Sequence, residues 1–119
     1  MKIITRCAVV ALVVSAPALA GAKVLMKPEI VVGMIAEAQA WGDLCRNWTV
    51  DSDAVDTFLL SQDMRFDDRY RELYEPARER AEAAVAKSSD ARAACDHVLE
   101  LYGPQGRKMA GLIKPKRFD

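Results

Sequence analysis

The sequence predicts an all-α protein, a compact array of four to five helices with one disulfide linking the first and last main helices. Three observations carry this expectation. From residue 28 onward, apolar residues return at spacings of three and four, the period of a helix with one buried face. The periodic stretches are separated by short clusters rich in Asp and Ser, the residues that cap helix N-termini. Two cysteines, Cys45 and Cys95, fall near the end of the first stretch and the start of the last.

The chain begins with something other than the domain. Lys2 and Arg6 precede the apolar run CAVVALVV at 7–14, and Pro17 breaks that run before Ala18-Leu19-Ala20. A positive start, a short apolar stretch and small residues at the cleavage positions make residues 1–20 a signal peptide, cleaved after Ala20. The run is far short of the ~20 residues a spanning helix needs, so no stable membrane anchor is expected once the signal is gone. Cys7 lies inside the apolar run and leaves with it. Residues 21–27 (GAKVLMK) form a flexible leader, 28–114 the helical domain and 115–119 a disordered basic tail.

Within the domain, Pro28 suits a first helical turn and Glu29 the positive end of the helix dipole. Ile30, Met34, Ala38, Trp41, Cys45 and Trp48 then share one face, which predicts a helix from Pro28 to about Trp48 with the two indoles flanking the thiol. Gly42 weakens it locally. TVDSD at 49–53 supplies an N-cap, Asp51 or Ser52, for a second helix to about Met64 whose apolar face is Val55, Phe58 and Leu59. Phe66, Tyr70, Leu73, Ala77 and Ala81 mark a third helix, with a kink or restart near Glu75 because Pro76 cannot bond back to Glu72. Ser88-Ser89-Asp90 opens the last helix, which carries Ala94, Cys95, Val98, Leu99 and Tyr102 inward and stops at Gly103-Pro104. Met109, Leu112 and Ile113 are placed to pack a turn onto the bundle.

An even pair of cysteines in an exported chain predicts a Cys45–Cys95 disulfide, since the compartment outside the cytoplasm is oxidising. The full chain balances seventeen basic against seventeen acidic residues, and loss of Lys2 and Arg6 leaves the mature domain slightly acidic. That balance gives no footprint for nucleic acid. The basic residues do crowd the C-terminus, at Arg107, Lys108, Lys114, Lys116 and Arg117.

Each residue group that could carry chemistry has a plainer structural role. His97 lies two residues from Cys95, a separation that sends helical neighbours to different faces, so it is badly placed to activate the thiol. CxxC and CxxCH are absent from the sequence, which leaves thioredoxin-like redox chemistry and covalent haem without their motifs. Asp51, Asp53 and Asp56 resemble the opening of a calcium loop, but Asp56 and Gln62 stand where that loop requires glycine and glutamate. Asp67, Asp68 and Glu72 interleave with Arg65, Arg69 and Arg71 as on a solvated helix face. Trp41 and Trp48 are possible binding residues, although at this spacing around a cysteine they are expected mostly in the core. No catalytic residue, cofactor or metal is expected.

PEI at 28–30, Cys45 closing the first helix, Cys95 opening the last, YGPQG at 102–106 and GLI at 111–113 together resemble a group of small exported two-cysteine helical proteins of proteobacteria, largely of unknown function. The resemblance implies a periplasmic all-helical domain with a Cys45–Cys95 bridge and brings no catalytic residue with it. A second, architectural similarity is to periplasmic acid-stress chaperones, which are small, helical and singly bridged. The expectation is therefore a non-catalytic periplasmic interaction protein, an accessory subunit, inhibitor or immunity-type protein with an unknown periplasmic protein as partner. An acid-activated chaperone is the alternative and a small periplasmic enzyme the third reading.

Overall fold

The computed structural model describes residues 24–117; the expected signal peptide and the start of the leader lie outside them. The elements in order are α1 (Pro28–Gly42), β1 (Trp48–Val50), α2 (Ser52–Ser61), α3 (Asp68–Ala86), α4 (Ala91–Tyr102) and β2 (Ile113–Pro115). The protein is mostly helical, as expected, with one disulfide, but it is not all-α: β1 and β2 form an antiparallel ribbon in which Thr49 faces Lys114.

Helix α1 is the centre. Val31, Val32, Ile35, Ala36 and Ala38 are completely buried, and burial extends around nearly the whole helix because α3, α4 and β1 all pack on it. A helix covered on every side must be apolar on every side, so its sequence shows little one-sided pattern. Direction follows from side-chain pairs. Gln39 meets Tyr74 and Asp43 meets Arg78, both numbers rising together, so α1 and α3 run in the same sense. Glu37 meets Tyr102 while Trp41 lies beside Val98, so α4 runs against α1.

The first helix ends at Gly42, not Trp48. Gly42 is buried beneath the ribbon, where an added β-carbon would lie 3.4 Å from the Ile113 side chain and 3.8 Å from that of Val50. The backbone then turns through Asp43–Asn47 and Trp48 begins a strand. The helical period continued past Gly42 in sequence only by coincidence, and Cys45 therefore sits in the loop after α1 and bridges that loop to α4. Cys45 and Cys95 are bonded, with Cα atoms 5.3 Å apart.

Each later helix begins on an aspartate whose side chain accepts backbone N–H groups. Asp51 Oδ1 takes those of Asp53 and Ala54, Asp67 Oδ1 that of Tyr70, and Asp90 Oδ1 those of Arg92 and Ala93. This use of Asp51 also accounts for the acidic run that resembled a calcium loop. Pro76 does not restart α3, which continues from Asp68 to Ala86. Pro76 and Glu72 are both on the exposed side, where water can take the carbonyl that the missing N–H would have bonded.

Order also reaches further at both ends than the sequence predicted. Met26 N–H donates to Gln62 Oε1 at 2.8 Å and its side chain packs on the core, so the leader is held at that point. Pro115 is in β2, and Lys116 N–H donates to the Asn47 carbonyl at 2.9 Å. Ile30 and Phe66, both expected to face the core, are 49% and 60% exposed. Ile30 loses its place to Val31 and Val32, and Phe66 precedes the Asp67 cap and so is not on the helix at all.

Candidate functional site

Trp41 and Trp48 are half-buried and rest on the edge of the core rather than in it. They do not share a face. Trp41, near the end of α1, borders a small depression of about 70 Å³ with Glu37, His97 and Leu101. Trp48, on β1, forms a wall of a larger cleft of about 400 Å³ beside Gly42, Val50 and the side chains of Arg46, Arg78 and Lys116. Of the two bridged cysteines, Cys45 is buried and Cys95 partly exposed.

His97 is exposed on α4. It borders the same small depression as Trp41, which neither cysteine lines. Among the described residues, no group of three or more His, Cys, Asp or Glu side chains is arranged to hold a metal ion. No helix among them is long and apolar enough to cross a membrane. The basic residues of the C-terminal region are mostly paired: Arg107 with Glu100 at 2.9 Å, Lys108 with Glu37 at 3.4 Å and Lys114 with Asp51 at 3.8 Å.

Two polar contacts tie the helices together under this surface. Buried Tyr102 donates its hydroxyl to the Glu37 carboxylate, and Tyr74 donates to Gln39 Oε1. Burial, then the hydrogen bond to Glu37 and its charge, hold the Tyr102 phenol well above its ordinary value. Arg78 reaches from α3 to Asp43 Oδ2 at 3.3 Å and to Glu82 Oε2 at 3.0 Å, bridging α3 to the end of α1.

The feature that the periodicity argument missed is an apolar surface at the α2–α3 connection. Leu60 is 65% exposed and Phe66 60% exposed. They border a depression of about 320 Å³ floored by Leu59 and Met64. Met64 and Arg65 also line an adjoining hollow of about 440 Å³ whose far side is Leu25, itself half exposed. A signal for it was present: Phe58, Leu59 and Leu60 are three large apolar residues in a row, and at about 100° per residue they span more of the helix than one buried face covers, so Phe58 and Leu59 go in and Leu60 stays out. Phe66 is fixed there by edge-to-face packing on Tyr70, ring centroids 4.9 Å apart, and Tyr70 in turn stacks on Tyr74.

No protein-family model, curated protein or solved structure matches this chain, so the sites rest on their own geometry.

Proposed function

We propose that the chain is an exported, non-catalytic interaction protein that binds a partner protein of the periplasm through the surface built from Leu25, Leu60, Met64 and Phe66. The observation that supports this reading is the exposure of Leu60 and Phe66 side by side over two joined hollows. Large apolar side chains scattered singly are ordinary, whereas a contiguous group with charged neighbours is the anatomy of a protein-binding face. Here the rim is Asp56, Arg65, Asp67 and Arg69, which supplies both signs of charge around the apolar centre. An acid-activated chaperone would keep such surface hidden at neutral pH and uncover it in acid. This surface needs no transition to become available.

The test places a photo-crosslinking residue at position 66, with position 79 on the exposed side of α3 as control, in protein secreted by living cells. A discrete adduct from 66, absent from 79 and abolished by Leu60→Ser in a variant of unchanged helicity, is the expected result. Intact mass of the same material should start at Gly21 and lack two thiol hydrogens. Equal labelling from 66 and 79 would defeat the reading. So would client protection that appears only between about pH 2 and 4 together with a rise in hydrophobic-dye binding, the signature of the chaperone.

A further inference from the structure

The cleft beside Trp48 lies apart from the apolar surface and shares no lining residue with it. We propose that it binds a small anion, an aryl carboxylate or aryl phosphate, with the anionic group among Arg46, Arg78 and Lys116 and the ring against the Trp48 indole.

Charge is the first argument. Three cations line the cleft and one carboxylate, Asp43, is among them. Asp43 is engaged by Arg78 at 3.3 Å, and Glu82 meets Arg78 from outside the lining at 3.0 Å. Arg46 and Lys116 form no ion pair among the described residues, in contrast to Arg107, Lys108 and Lys114, whose charges are paired. The cleft thus keeps an excess of positive charge. An anion entering it gains charge-assisted hydrogen bonds without first displacing a partner from two of the three cations.

Fixed geometry is the second. Arg46 follows Cys45 directly, so the disulfide pins its backbone, and Lys116 is tied to the same loop by its N–H bond to Asn47. Trp48 is set by its pairing with Pro115 across the ribbon. Arg78 is only 25% exposed and braced from two sides. The cations therefore stand on backbone that does not have to be ordered when a ligand arrives, which lowers the cost of binding. The wall is the third. Trp48, Gly42 and Val50 contribute apolar surface to a cleft otherwise lined by polar and charged residues, and a volume of about 400 Å³ suits a single ring with its anionic substituent.

The chain has two tryptophans, so Trp41→Phe leaves Trp48 as sole reporter. Phenyl phosphate and benzoate are titrated against this variant, with inorganic phosphate and neutral benzyl alcohol as controls. A saturable change in Trp48 emission with both aryl anions, weaker with inorganic phosphate and absent with benzyl alcohol, is expected. The double variant Arg46→Gln/Lys116→Gln, changed only at exposed side chains, should lose about tenfold or more in affinity. Phe66→Ser should bind as the parent does, which keeps this site separate from the partner surface. Calorimetry on the unsubstituted protein repeats each comparison, so a Trp41→Phe variant that folds poorly does not decide the outcome. No saturable binding, equal binding of benzyl alcohol, or affinity unchanged in the double variant would overturn the proposal.

Discussion

Gly106 occupies a position where an added β-carbon would sit 2.4 Å from the Leu101 carbonyl oxygen and 2.8 Å from the Tyr102 α-carbon. Both are backbone atoms and neither can swing aside, so any other residue must push the chain off the end of α4. The turn it would disturb is held by Gly106 N–H on the Gly103 carbonyl at 2.9 Å and lies next to completely buried Tyr102. Gly106→Ala should therefore cost about 1–3 kcal/mol, the range for forced overpacking, measured as a lower urea midpoint at unchanged slope. A midpoint equal to the parent's would show that the turn has room to spare.

At the scale of elements, the sequence was informative where structure is decided locally and silent where it is decided by distant partners. Asp51 and Asp90 announce two helix starts because a cap is a contact between residues two or three apart, whereas Asp67, read in the sequence as part of a helix already begun at Phe66, proves to be the cap of the third. The ribbon gave no such sign. WTV and IKP are three residues each, too short for an alternating pattern, and they pair only because α1 stops at Gly42 and leaves Trp48 free to extend. Trp48 was misplaced on a helix face for the same reason, and with it the cleft was invisible, since Arg46, Arg78 and Lys116 come from three separate segments. The apolar surface was half legible, in the Phe58-Leu59-Leu60 run. The disulfide was legible from the two cysteines left once Cys7 is assigned to an export signal, but what it anchors was not: it holds the loop that leads into β1, so its loss should be felt in the ribbon before the helices. Cys45→Ser/Cys95→Ser removes a cross-link closing fifty residues, worth on the order of 4 kcal/mol in chain entropy. The expected result is a markedly lower urea midpoint with helicity at neutral pH largely kept, and the earliest amide exchange at Thr49 and Lys114. Exchange rising first in α3 would contradict this.

For the whole molecule, two buried phenols make the fold sensitive to alkaline pH. Tyr70 is buried, and burial, followed by repulsion from Tyr74, pushes its phenol from 10.0 up to about 12; Tyr102 is raised further. A phenol raised in the folded state stabilises the fold fully below its unfolded value, and that contribution is lost as pH climbs through the folded one. Stability should hold to about pH 10 and then decline, with phenolate absorbance from Tyr70 and Tyr102 appearing only as the chain unfolds. Phenolate from Tyr70 or Tyr102 before any loss of circular dichroism would contradict the packing described for α1, α3 and α4. Those same contacts set a timetable. The most apolar element, α1, is made first, yet its cover includes β2, which pairs with β1 from residues 113–115. A chain synthesised at roughly 5–20 residues per second leaves completed α1 waiting roughly 4–15 s for its last neighbour. During that interval its bare face is open to any passing apolar surface, which makes delay of folding by a holding factor, rather than speed, the safer route to this native state.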